Sequence, residues 1–294
     1  MLKRFLYLLT LVLLTNQLFA QVTNSSISGV VKGATNEPLA GATITAIHQP
    51  TSTVFRTISQ KDGIFNIVNM IPGGPYNVEV SFVGFESYTQ SELFLALGEN
   101  TRIDASLKSK GNLQEVVVTG TGSVRRKTGA STSISKQQIE ALPTLSRSLS
   151  DLTRITPQAT GNNSFGGTNN RYNNITIDGA VNNDVFGLSG NGTPGGQANT
   201  SPISLDAIQE VQVVLAPYDI TYGNFTGAGI NAITRSGTNK FDGSAYYFTR
   251  NENTVGKDPI TQLKTAHFSN KQYGVRVGGP IIKNKLFFFL NGDL

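Results

Sequence analysis

The run YGVRVGGPIIKNKLFFF, residues 273–289, alternates an apolar row with a polar or small one. Tyr273, Val275 and Val277 fall on one side, and Gly274, Arg276 and Gly278 on the other. That period predicts a strand with one face in an apolar medium; a transmembrane strand needs about 9–11 such residues. Pro280–Lys285 reads as a short turn and Leu286–Leu290 as the start of another strand. Upstream, Phe241–Thr249 is an aromatic-rich strand, but consecutive Tyr246, Tyr247 and Phe248 leave its outward face open. Asn251–Ser269 is polar and irregular. A long loop on one side and a short turn on the other is the asymmetry of outer-membrane barrels. Two or three strands cannot close a barrel, and large transporters use about 22. An open edge in lipid leaves backbone groups unpaired at several kcal/mol each. Residues 239–294 are therefore expected to be the start of a transmembrane β-barrel, truncated in this chain.

Before this hairpin stands AIQEVQVVLAPYDITYGNFTGAGINAITRSGTN, residues 207–239. Leu205–Leu215 reads as a helical turn feeding a strand, with Val211 and Val213 on one side. Ile175 and Ile177 alternate with Thr176 and Asp178 ahead of a turn at Gly179. Ala130–Ile134 can form a short strand. Ser135 can cap a helix through Ile139 and Leu142 that Pro143 ends, and Ser146 can cap a second, with Leu149 and Leu152 on one face. These pieces make a small α+β unit over residues 124–238. Two loops, 161–172 and 182–201, are rich in Gly and Asn. Long loops are functional or structureless; these can face a solute pathway or simply lie on the surface. Gly227-x-Gly229-x-x-Ala232 also matches a weak dinucleotide fingerprint, which must join a strand to a helix. Here Ile233–Thr238 reads as strand and turn, which argues against nucleotide binding.

Residues 113–120, Leu-Gln-Glu-Val-Val-Val-Thr-Gly, lie between polar flanks. Three consecutive valines favour an extended backbone. A lone strand in a linker has unpaired donors and acceptors that a foreign sheet edge can capture; the same residues could equally open the next domain as its first strand.

Residues 22–108 carry short strand-like runs: Ser26–Val31, Ala42–His48, Thr53–Ser59, Ile64–Ile67, and Tyr76, Val78 and Val80 alternating with polar neighbours. Ile103, Ala105 and Leu107 read as a closing strand. Asp62-Gly63 supplies a tight turn and Pro72-Gly73-Gly74-Pro75 a break. Such spacing suggests a small β-sandwich. His48 has no second ligand at metal spacing and reads as a core residue.

Lys3 and Arg4, the apolar run Phe5–Leu14 and the small residue Ala20 make residues 1–20 a signal peptide, too short to span a bilayer. Of the 294 residues 15% are charged, below the roughly 25% of soluble domains. The net charge is +5, Arg125-Arg126-Lys127 is the one dense basic cluster, and no nucleic-acid stripe exists. With no cysteine there is no disulfide, thiol nucleophile, thiolate metal site or lipid-bearing N-terminus. No acid, base and nucleophile converge in the sequence. No catalysis, cofactor or metal is expected.

GVVKGATNEPLAGATITA (29–46) and KDGIFNIVNMIPGGPYNVEVSFVGFE (61–86) resemble the carboxypeptidase-regulatory-like domain, which implies a transthyretin-like accessory module without a peptidase site. NNITIDGA (173–180) and the 207–239 run resemble the plug of TonB-dependent outer-membrane receptors. The matching positions are Asp178, Gly179, Ile208, Val211, Val213, Pro217, Tyr222, Gly223, Gly227, Gly229, Ile230, Asn231, Ile233 and Thr234. Ala216-Pro217 departs from the family's more usual Gly-Pro. The valine strip resembles the TonB box, so the resemblance assigns TonB binding to Glu115, Val116, Val117, Val118 and Thr119. The 273–289 run resembles early barrel strands. In order, these pieces resemble the Oar-like and SusC-like receptors. The resemblance implies active import of an unnamed solute across the outer membrane, energised by the TonB protein. The partners would be TonB, outer-membrane lipid and the solute, with room for a surface lipoprotein and none for nucleic acid. The accessory and plug domains would lie on the periplasmic side or in the barrel lumen. A secreted adhesion or carbohydrate-binding β-sandwich is the alternative, and it leaves the plug-like and barrel-like runs unexplained. The fold expected is mainly β: a sandwich, an α+β plug and the first strands of an incomplete barrel.

Overall fold

The computed structural model describes residues 23–110 and 130–294, apart from 145, 185, 199 and 218–221. The leader, the valine strip with Glu115–Thr119, and the 218–221 part of the plug signature lie outside the described residues.

The first unit is a two-sheet sandwich. One sheet orders β4 (Ile64–Met70), β1 (Ser25–Lys32) and β7 (Asn100–Arg102), with β8 (Ala105–Ser106) also on β1. The other orders β3 (Thr53–Ile58), β2 (Thr43–His48), β5 (Gly73–Ser81) and β6 (Tyr88–Leu95). Alternation decides the faces: Ile27 and Val31 on β1, Ile44 and Ala46 on β2, and Tyr76, Val78 and Val80 on β5 turn into one core. Leaving such side chains exposed instead would cost about 1.5–3 kcal/mol for each large one. Two expectations are corrected. Pro72–Pro75 does not break the chain, because β5 starts at Gly73. Gly74 has φ 154°, and a Cβ there would stand 2.6 Å from the Leu93 carbonyl oxygen, so only glycine lets β5 begin against β6. The closing strand is two short strands parallel to β1, although Ile103, Ala105 and Leu107 are buried as read.

His48 is a satisfied core residue. Its Nδ1 shares a 2.7 Å hydrogen bond with Thr51 Oγ1, and its ring centroid lies 4.9 Å from that of Tyr76. Burial pulls its pKa down to about 4. The fold therefore keeps the ring neutral, whereas the unfolded chain protonates near pH 6.5. Full stability is present above pH 6.5 and declines as pH falls from there toward 4. The sandwich is expected to lose about 1–3 kcal/mol across that window. His48→Gln should flatten this slope in thermal melts run from pH 7 to pH 4; an unchanged slope contradicts the assignment.

The second unit is a five-stranded sheet in the order β13 (Ala180–Val181), β12 (Asn174–Ile177), β15 (Ala228–Thr234), β14 (Ile208–Leu215) and β9 (Ala130–Ser135). A separate ribbon pairs β10 (Ala159–Gly161) with β11 (Ser164–Phe165). β12 and β15 are parallel, and the other pairs in the sheet are antiparallel. Helices α1 (Lys136–Ala141) and α2 (Leu149–Thr153) put Ile139, Leu149 and Leu152 against Val211, Val213 and Ile230. Ser135 caps α1, its N–H donating to Gln138 Oε1 at 2.9 Å. Ser146 does not cap α2. Ser148 holds that position, while Ser146 bonds Asp151 Oδ2 through its N–H (2.8 Å) and hydroxyl (3.0 Å). The carboxylate at the first turn outcompetes a capping role for Ser146.

The third unit is an antiparallel meander of β16 (Asp242–Asn251), β17 (Ser269–Ile282) and β18 (Leu286–Asp293). Register resolves the open face of β16. Tyr247, opposite Tyr273, and Ala245, opposite Val275, face outward; Tyr246, opposite Gly274, and Phe248 face Arg147 of the second unit. Pro280 lies inside β17 rather than in the turn, at a register shift between Pro280 and Ile282 that accommodates its missing N–H. The turn itself is 283–285.

Candidate functional site

β9, the first described strand after residue 129, forms one edge of the plug sheet and pairs with β14 from Ala130↔Leu215 to Ser135↔Glu210.

The two Gly- and Asn-rich loops are held by side-chain amides. Asn173 Nδ2 donates to the Asn163 carbonyl (2.5 Å), and its Oδ1 accepts the Ala228 N–H (2.9 Å). Asn163 Oδ1 accepts from Thr153 Oγ1 (2.5 Å), and its Nδ2 reaches the Asn191 carbonyl (2.9 Å). Asn170 Nδ2 spans the carbonyls of Asn162 and Gly190 at 2.8 and 2.7 Å. Asn183 Oδ1 accepts the Ile175 N–H at 2.7 Å. Each amide offers donor and acceptor together, so each can stitch two loop backbones. Between the loops lies a polar cavity of about 210 Å³ lined by Asn170, Arg171, Asp184 and Ser189.

The plug signature residues occupy the sheet and its turns. Asp178 (φ 50°) and Gly179 (φ 82°) make the β12–β13 turn. Asp178 accepts the Thr234 N–H (2.8 Å) and hydroxyl (2.6 Å), tying this turn to the end of β15. Asn231 and Thr176 are hydrogen-bonded between β15 and β12. Tyr222 donates to Gln212 Oε1 at 3.0 Å, and the Gly223 carbonyl accepts from Asn174. At Gly227 a Cβ would stand 2.4 Å from Asn173 Oδ1, so the absence of a side chain lets this amide reach β15. Gly229 lies within β15, not between strand and helix, which removes the dinucleotide reading. Ala216, before Pro217, has φ 46°. A left-handed alanine costs about 1–2 kcal/mol. Ala216→Gly is expected to stabilise the plug by about 1 kcal/mol, seen as slower hydrogen exchange in β14; unchanged or faster exchange counts against it.

The plug meets the barrel strands through arginines that sequence reading did not single out. Arg147 stacks over Tyr246 and Phe248, 4.1 and 4.9 Å from their centroids, and pairs with Asp206 at 2.9 Å. Glu140 lies 3.1 Å from Arg235 and 3.9 Å from Arg276. Burial, then the nearby Arg276 charge, lower the Arg235 pKa, and Glu140 opposes both. Only Arg276, at a small-residue position of the alternation, carried a signal: an arginine on a strand otherwise flanked by glycines. Among the described residues no cluster of His, Asp or Glu could hold a metal, and no helix is long and apolar enough to cross a membrane.

Three family models match consecutive parts of the chain. Residues 26–108 match the carboxypeptidase regulatory-like domain, 123–230 the TonB-dependent receptor plug domain, and 233–293 an outer membrane beta barrel domain. In this order the three matches are those of a TonB-dependent receptor. The chain is 27% identical over 299 aligned residues to the TonB-dependent transporter Oar of Myxococcus xanthus, covering 92% of this chain and 26% of that protein. It thus spans about a quarter of the length of that relative. The siderophore receptor PirA of Acinetobacter baumannii matches in structure with 26% identity and a TM-score of 0.42, over 60% of this chain and 26% of that one. A catechol 1,2-dioxygenase from Pseudomonas arvilla matches over 30% of this chain and 52% of that one, with 14% identity and a TM-score of 0.24. Scores this low define no shared architecture. The family matches themselves name a receptor and a barrel.

Proposed function

We propose that these residues form the accessory sandwich, coupling strand, plug and first barrel strands of a receptor that imports a solute across the outer membrane by TonB-dependent active transport. The supporting observation is the seating of the plug on the barrel strands. Arg147 and Glu140 of the plug meet Tyr246, Phe248 and Arg276 on the inward face, while Tyr247, Tyr273 and Val275 stay exposed on the other. An apolar outer face with polar contacts inside is what a lipid-embedded wall around a plug requires. In this reading Glu115, Val116, Val117, Val118 and Thr119 pair with a strand of TonB. Tension then passes through the linker to β9 and displaces the plug. The residues act mechanically, and no step needs a cofactor. Outer-membrane lipid surrounds the wall, and a surface lipoprotein can deliver the solute.

Fractionating cells that express the complete reading frame tests this. The product is expected in the outer membrane, migrating faster in unheated than in heated samples, as closed barrels do. A product found only in the soluble periplasm or medium contradicts the reading and favours a secreted sandwich protein.

A further inference from the structure

Leu97 is fully buried yet belongs to neither hydrophobic core. It sits in the turn after β6. Its N–H donates to Glu210 Oε1 at 3.0 Å, and its carbonyl accepts from Gln212 Nε2 at 2.8 Å. Glu210 and Gln212 are two apart on β14, on the face opposite Val211 and Val213, and are only 4% and 1% exposed. Two plug side chains therefore bind the backbone of one sandwich residue as a neighbouring strand would. The same Glu210 oxygen accepts the Ser133 hydroxyl of β9, and Gln212 Oε1 accepts from Tyr222. A second contact lies at the barrel turn. The Asn239 N–H donates to the Pro50 carbonyl at 2.8 Å, and its amide touches Ser52 Oγ (3.3 Å) and Asn284 Oδ1 (2.7 Å).

We propose that the accessory sandwich is a latch on the plug, closed while β9 is in the sheet and released when β9 is withdrawn. The proposal rests on the reading that the linker carries tension. The linker runs from the sandwich to β9, so a pull on its middle divides between both ends. At the plug the two loads meet on one carboxylate, since Glu210 holds both Ser133 and Leu97. Withdrawing β9 removes a donor from a buried carboxylate. Burying a charge with fewer donors is unfavourable, so water entry and loss of the sandwich follow.

The test uses the complete receptor in its outer membrane, in a background freed of cysteine; residues 1–294 contain none. Ser52→Cys with Asn239→Cys should cross-link under mild oxidation in cells lacking TonB. The yield should fall about tenfold in energised cells that contain it. Leu97→Pro should lower the resting yield by a similar factor, because it removes a hydrogen bond to a charged acceptor. Proline suits this position: Glu99 N–H bonds the Ala96 carbonyl at 3.1 Å around Leu97 and Gly98 (φ 61°), a turn that favours it. Protease resistance of the Leu97→Pro sandwich controls for folding. A resting yield no higher than that of Ser52→Cys with Gly256→Cys overturns the docking. Yields unchanged by TonB and by Leu97→Pro overturn the latch. The resting cross-link needs no TonB, so a failure of the coupling reading alone would leave it intact.

Discussion

Val117→Pro is expected to weaken binding of the receptor to the periplasmic domain of TonB by about thirtyfold or more, with outer-membrane assembly unchanged. β-Augmentation draws its affinity from main-chain hydrogen bonds. Proline at the centre of the strip removes one donor, fixes φ near −65°, and places its ring against the neighbouring strand. A lost bond plus a partner carbonyl left unsatisfied amounts to about 2–3 kcal/mol, which sets that factor. Val117→Thr keeps the backbone and β-propensity and should change binding by less than about threefold. Pull-down from solubilised membranes reads both. Equal binding by wild type and Val117→Pro would remove TonB binding from residues 115–119.

The second large effect is at Asn173. Asn173→Ala is expected to destabilise the plug by about 3 kcal/mol and to speed hydrogen exchange in loops 161–172 and 182–201 by about a hundredfold. Both functional ends of this amide are used: the Ala228 N–H and the Asn163 carbonyl lose their partners together. Asn163 in turn holds Asn191, so the loss spreads from one loop to the other. Exchange confined to wild-type rates would mean that the amides do not order these loops.

Much of this architecture could be read from the chain because burial on one face leaves a periodic record. Tyr76, Val78 and Val80 alternate because one side of β5 is core, and Tyr273, Val275 and Val277 because one side of β17 presents an exposed apolar row. β6 left no such record: its pattern is interrupted at Glu92, which has φ 57°. The loop asparagines carried no signal in the sequence, since their partners lie 8 to 55 residues away and no local pattern encodes them. Glu210 and Gln212 are polar residues across β14 from Val211 and Val213, and their sequence alone does not show them buried. They are buried because Leu97, more than 110 residues earlier, lies over them. Arg147 was silent for the same reason: it gains its meaning from Tyr246 and Phe248 in another unit.

The most direct test places single cysteines at positions 115 to 119 of the receptor, in a background freed of cysteine, and along one strand of the TonB periplasmic domain, then scores cross-links in intact cells. Cross-links are expected in a fixed strand register, strong at alternate positions and lost on dissipating the inner-membrane proton gradient. Uniformly absent cross-links, with the receptor assembled in the outer membrane, would contradict TonB pairing at these residues.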